Sequence, residues 1–357
     1  MKITTVETYP VRVPLWPGAW HSPEYGPPEW DEPAIVILRV LTDAGIEGVG
    51  EVQRGIPEVT VQQYIPQVVG QDPLAMNLQA LPLGGEFDAA PGIYDAFEMA
   101  IYDIVGKARG VPAYQLFGGA YRDRVLVSLC SGQMTPRDAA QLARKAADEG
   151  YQYLKMKATD TDPVVERIAA IHAEVGTAVK VVIDPMRRLR RPAVCVDMSR
   201  RLDQYRDNIS CWEDPVDRGN LDWYQLLRHK IDFPIALHLG DARDVVEAVK
   251  HEACDYLNLG GTMANFHRTA TVAELAGIPC WHGSGVGLGF SEAAILHVSA
   301  AARACTLSSD VVGEHIRVND LIKQPIEIRD GYATVPQGPG LGVELDWEAL
   351  ETYGVRS

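Results

Sequence analysis

Lys155 and Lys157 close the stretch YQYLKMK, residues 151–157. Tyr151, Tyr153 and Leu154 suit a short buried strand, and on a strand residues two apart point the same way. Two ammonium groups therefore face one space at the strand's carboxyl end. Desolvating charge is costly, so the pair needs a reason. Neighbouring cations disfavour each other's charge, and one of them can lose its proton near neutral pH and act as a base. The alternative is a strand emerging into water with two solvated lysines. Further on, VVIDP and SCWEDP end candidate strands at Asp184 and Glu213, with Asp214 beside the latter. Carboxylates brought to one place repel unless a cation sits among them, and oxygen ligands select a hard divalent ion such as Mg2+. An Asp before a helix is also a common N-cap; two acids on adjacent strands after a lysine pair favour the metal.

The elements that position these side chains follow from the pattern. Residues 1–50 read as strands: ITTVETYPVRVPL alternates, and AIVILRVLTDAGIEGVGEV is a hairpin with DAG as its turn. Between them WPGAWHSPEYGPPEWDEP is too rich in Pro and Gly for a regular element. Its Trp16, Trp20, Trp30, Tyr25 and His21 make it either a loop packed on its own domain or a lid supplying an apolar wall to a pocket. From about 58 to 118 the spacing is helical, stopping at Gly110 with Pro112 after it. After Val125 strands and helices alternate for about 200 residues, which predicts parallel strands with covering helices and favours a closed (β/α)8-type barrel. Active sites of such barrels lie at the carboxyl ends of the strands. The turn-rich tail GYATVPQGPGLGVELDWEALETYGV is expected to return to the first domain.

The net charge of −15, with no basic stripe, argues against nucleic acid and against an anionic membrane surface as partners. No apolar run is long enough to span a bilayer, and the first residues alternate like a strand rather than a signal peptide. Six cysteines without a CxxC pair read as reduced, buried thiols of a cytoplasmic protein.

The layout resembles the enolase superfamily, in its mandelate racemase and muconate lactonizing enzyme branch. The matching residues are EMAIYDIVGKARGVPAYQLFGGAYRDRV at the domain junction, the K-x-K of Lys155 and Lys157, Asp184, Glu213 and GIPCWHGS near the end. The resemblance implies an α/β fold: an N-terminal α+β capping domain, residues 1–124 with the return of about 328–357, over a (β/α)7β TIM-like barrel at 125–327. It implies Mg2+ held by three strand-end acids, and abstraction of the proton α to a substrate carboxylate to give an enediolate. Lys157 is then the base, with Lys155 lowering its pKa and helping to hold the carboxylate.

The match departs from the family's pattern at three strands. At the third-ligand position, near Leu239, the nearest donors are Asp241 and His238; Asp241 is the expected ligand, against a role as helix cap. On the sixth strand the second base is expected to be lost: the position falls on Gly260, and Asp255 begins the strand at the wrong end. Asn258 is expected to line the pocket there. His282 ends the seventh strand, where it is a candidate acid, with Ser284 beyond it as a substrate contact. In DPMRRLRRP one arginine, Arg188 as the candidate, is positioned to pair with an anionic substrate group. Trp20 and His21 are the lid's candidates. The expected reaction is dehydration of a hydroxy acid or sugar acid by a likely homo-oligomeric enzyme. Racemisation or epimerisation, cycloisomerisation, and a barrel that only binds a ligand are the alternatives.

Overall fold

The computed structural model describes residues 1–28, 31, 34–83, 91–261 and 263–355; Trp30 lies outside them. Strands β1 (Ile3–Val11), β2 (Ile35–Thr42) and β3 (Glu47–Val52) form an antiparallel sheet in that order. The β2–β3 turn is the expected one, with Gly45 at φ +72°. Helix Pro91–Arg109 packs on β3. Its approach is so close that a Cβ at Gly48 or Gly50 would stand 2.1 or 1.9 Å from the carbonyl oxygens of Ala100 and Ala96. Glycine on β3 is what lets the helix cover the sheet.

β4 (Arg124–Leu126) joins a small antiparallel sheet with β12 (Ile328–Arg329) and β13 (Tyr332–Thr334). The chain end reaches β1, where Arg12 N donates to the Tyr353 carbonyl at 2.9 Å and Val355 N to that of Pro10 at 2.8 Å.

The alternating half forms a seven-stranded parallel sheet: β5 (Leu129–Ser131), β6 (Tyr153–Lys157), β7 (Lys180–Asp184), β8 (Ile209–Glu213), β9 (Ile235–Leu239), β10 (Tyr256–Leu259) and β11 (Cys280–His282). Helices such as Val164–Val175 and Ala264–Ala276 cover it between strands. Residues 305–310 close the ring. Leu307 N donates to Cys280 O at 3.1 Å and Asp310 N to His282 O at 2.9 Å, while Ser128 N reaches Ser309 O at 3.0 Å. The barrel interior holds Val182, Cys211, Ala236 and Trp281, with Tyr256 and Leu307 packed on them. All six cysteines are free and buried. No helix among the described residues is long and apolar enough to cross a membrane.

Candidate active site

Strand parity builds the site. Val182, Cys211, Ala236 and Tyr256 face the interior, so Asp184, Glu213, His238 and Asn258, each two residues further on, face the same way at the strand ends. Lys155 is level with Val182 and Lys157 with Asp184. Both lysines and both strand-end acids thus meet in one layer.

Their contacts are dense. Lys155 Nζ donates to Glu213 Oε1 at 3.0 Å and to Asp310 Oδ2 at 2.7 Å; Glu213 Oε2 is 2.8 Å away and Asp184 Oδ2 3.7 Å. Lys157 Nζ donates to Asp184 Oδ2, and Asp184 Oδ1 accepts from Met186 N at 2.9 Å. Asn258 Nδ2 donates to Glu213 Oε1 at 2.8 Å. Burial opposes the charge of Lys155, but Asp310, Glu213 and Asp184 outweigh it and hold its pKa well above the ordinary lysine value. The expectation that the two lysines depress each other therefore fails for Lys155, because each ammonium has its own carboxylate. Burial also opposes Asp184, yet Lys157 and Lys155 hold it well below the usual range. Glu213 goes the other way: burial, then Asp184, push it up to about 8.

Asp310 was not anticipated from the sequence. It follows LSS in the closing strand and repeats the signature that found Asp184 and Glu213, an acid at a strand's carboxyl end.

His238 projects from β9 with Nδ1 3.6 Å from Glu213 Oε1, and its side chain is 37% exposed towards a cavity. Its backbone is clamped: His238 N donates to Asp214 Oδ1 at 3.0 Å, and its carbonyl accepts from Arg218 Nη1. Although the cavity reaches the ring, protein surrounds it, and this burial, followed by the charge of Lys155, pushes its pKa down to about 3. Asp214, at φ +43°, is pushed up to about 6 by burial and acts on the β8–β9 connection rather than in the cluster. Asp241 is exposed and caps helix Ala242–Lys250, accepting from Arg243 N at 2.7 Å. Asp255, at the start of β10, accepts from Ile235 N at 2.9 Å and from Arg228 at 2.6 Å.

The cavity, about 760 Å³, lies between capping residues such as Gln53 and Arg54 and the ends of β9 to β11. His282 and Ser284 line it. The His282 ring stacks on Phe266, centroids 4.2 Å apart, with Nδ1 2.5 Å from the Gly283 carbonyl oxygen. Ser284 Oγ accepts from Val286 N at 2.8 Å.

The loop of residues 16–28 is docked over β5 and β6. Gly132 N donates to Trp20 O at 2.7 Å, Ser22 N to Gln133 O at 3.0 Å, and Gln133 N to His21 Nδ1 at 2.6 Å. Trp20 is 6% exposed and packs with Cys130, Val286, Val312 and Ile316. Buried Arg167 ties this loop to the site, donating to Tyr25 OH at 3.1 Å and to the Lys157 carbonyl at 3.3 Å. Arg188 is exposed on the loop after β7, near enough for its charge to disfavour protonation of His21, whose pKa burial already lowers.

Among the described residues no three His, Cys, Asp or Glu side chains already converge on one ion. The donor chemistry nevertheless fits a divalent cation. Three carboxylates, of Asp184, Glu213 and Asp310, face two ammoniums, and the raised Glu213 reports the excess negative charge.

Comparison with known proteins agrees with this geometry. Residues 138–349 match the family described as enolase C-terminal domain-like, and residues 29–118 the mandelate racemase / muconate lactonizing enzyme N-terminal domain. The N-succinyl-L-Arg/Lys racemase of Bacillus cereus is 28% identical, over 99% of this chain and 98% of its own. Its crystal structure has a TM-score of 0.87 at 26% identity, covering 100% and 99% of the two chains. The D-galactonate dehydratase of Ralstonia nicotianae is 28% identical over 100% of this chain and 95% of its own. The fold is shared with muconate cycloisomerase from Pseudomonas fluorescens, at TM-score 0.85 and 23% identity over 99% of each chain. The chain belongs to the mandelate racemase and muconate lactonizing enzyme branch of the enolase superfamily, whose members generally depend on a divalent metal.

Proposed function

We propose that this enzyme removes the proton α to the carboxylate of a small polyhydroxylated acid and expels the β-hydroxyl as water. Lys157, at the rim of the lysine–carboxylate layer, is the base. Lys155 stays charged beneath it, fixing Glu213 and Asp310 and presenting positive potential to the substrate carboxylate. Asp184 and Glu213 would hold the divalent ion, Mg2+ by family resemblance, which when bound offsets the charge that builds on the carboxylate oxygens. His282 lines the cavity and is placed to give the departing hydroxyl its proton. The amides and hydroxyls of Gln53, Gln79, Asn265 and Ser291 in the cavity wall suit a polyol chain. Six buried free thiols accord with a cytoplasmic enzyme, which we take to be a homo-oligomer.

One observation carries elimination over racemisation. The lysines of the cluster come from β6, whereas β10 and the end of β11 offer Asn258, Gly260 and Gly283. A proton taken by Lys157 thus has no lysine or carboxylate on β10 to replace it from the opposite face. The dehydratase relatives support this reading; the end-to-end match to a racemase supports 1,1-proton transfer as the second. Incubating the enzyme with a panel of aldonic acids in D2O decides between them. A 2-keto acid product, absent with folded Lys157→Ala, is expected. Recovered substrate of inverted configuration carrying deuterium at Cα, without keto acid, would overturn dehydration in favour of racemisation.

A further inference from the structure

We infer that the imidazole of His238 completes the divalent-cation site, so that this enzyme takes a borderline ion, Mn2+, Co2+ or Zn2+, in preference to Mg2+. The inference rests on the metal-assisted reading and gives that site its third donor and its selectivity. Asp184, Glu213 and His238 end three consecutive strands, β7 to β9, and all face the barrel interior. The other donor near β9, Asp241, is exposed and bonded to its own helix.

Three features aim the ring at the acids. Asp214 and Arg218 grip the His238 backbone from both sides. The ring's far nitrogen lies over two glycines: a Cβ on Gly283 would come within 3.0 Å of Nε2, and one on Gly260 within 3.6 Å. Nδ1 is thereby left facing Glu213 Oε1 at 3.6 Å, a separation that two ligands of one small ion can share. A second polar group is unsatisfied beside it. Asn258 is fully buried, its Nδ2 holds Glu213 at 2.8 Å, and its Oδ1 has no hydrogen-bond partner. That oxygen would be only 2.3 Å from a Cβ on Gly283, so it borders the same slot as the imidazole. Glu213 retains capacity, because a carboxylate oxygen offers two lone pairs and Oε2 meets Lys155 alone.

An imidazole among carboxylates changes the choice of ion. Mg2+ favours all-oxygen sets, whereas mixed nitrogen and oxygen sets suit Mn2+, Co2+ and Zn2+.

The test uses the full chain stripped with chelator and titrated calorimetrically with MnCl2, CoCl2, ZnCl2 and MgCl2, with pulsed EPR of the Mn2+ form. We expect Mn2+ to bind at least about tenfold tighter than Mg2+, and a histidine nitrogen to couple to the Mn2+ spin. In His238→Ala the coupling disappears and Mn2+ affinity falls by more than the roughly 10–100-fold typical of outer-shell changes. In His238→Asp, which restores an oxygen donor, the Mn2+ preference over Mg2+ shrinks by about tenfold or more. Bound Mn2+ without nitrogen coupling, or an ion preference unchanged in His238→Asp, overturns the inference while leaving the metal-assisted reading intact. Failure of the wild type to bind any of the four ions overturns both. Lys157→Ala retains the nitrogen coupling if the inference holds, so loss of the base is read separately.

Discussion

Replacing Lys155 by Met tests the electrostatic core of this site without touching the substrate. The ammonium is buried, 3% exposed for the residue as a whole, and lies 2.7 Å from Asp310, 2.8 Å from Glu213 and 3.7 Å from Asp184. Met fills a similar volume, so packing is nearly conserved. What is lost is the cation among three desolvated carboxylates. Removing one partner of a buried pair costs about 3–5 kcal/mol, and uptake of a proton by Glu213, already held at about 8, limits the loss. We expect urea unfolding of the chelated protein at pH 7 to show about 3–5 kcal/mol of destabilisation. The deficit should shrink towards pH 5, where Glu213 is protonated in both proteins. A double-mutant cycle with Glu213→Gln should return a clear coupling energy. A loss below about 1 kcal/mol, the size expected for an exposed pair, at every pH would refute the claim that Lys155 neutralises the layer.

The metal-free wild type should lose stability as pH rises. Glu213 has a folded pKa of about 8, above the ordinary 4.5, so its contribution is fully present below about pH 4.5 and is lost as pH rises through about 8. Glu51, raised by burial to about 7, acts in the same direction; thermal melts across this window should fall, and Glu213→Gln should flatten them. Trp20→Ala removes a side chain only 6% exposed, so about 3–5 kcal/mol of local packing is lost. Undocking of the 16–28 loop should appear as protease nicking there and as a lower kcat/KM in a barrel that still melts cooperatively; unchanged values of both would remove its role as a lid. Gly50→Ala would force a Cβ to 1.9 Å from the Ala96 carbonyl oxygen. Loss of more than about 4 kcal/mol, or of soluble protein, is expected; wild-type stability would contradict the close strand–helix approach.

How much of this was legible in the sequence follows from which signals are local. The lysine pair, Asp184 and Glu213 were found because strand periodicity and a strand-end acid are readable within five residues, and parity then fixes their direction. The hairpin at Asp43–Gly45 was readable for the same reason. The eighth strand was not: Cys305–Asp310 bonds to β11 and to residues 126–128 through long-range contacts, and its segment lacks the β-branched run that marks β7. Asp310, the tightest contact of Lys155, went unseen with it. The same dependence explains the lysines. Their spacing said that two ammoniums share a space, but their protonation is set by acids 27, 58 and 155 residues away along the chain, and no local pattern reports those.

His238 shows the limit most clearly. In PIALHLGD the residue that chemistry prefers as a Mg2+ ligand is Asp241. Position decides otherwise: Asp241 lies beyond the strand, on a helix that needs an N-cap, and its carboxylate accepts from Arg243 N there. His238 is two residues past an interior-facing alanine, which commits its side chain to the acids of β7 and β8. Periodicity thus outranks residue type in choosing the third donor. The same rule predicts that moving a carboxylate to position 238 changes the ion, whereas removing the one at 241 frays a helix terminus by about 1 kcal/mol and leaves metal affinity where it was. A metal titration of Asp241→Asn set beside His238→Asp reads that difference directly, and a larger loss of affinity in Asp241→Asn would reverse the assignment.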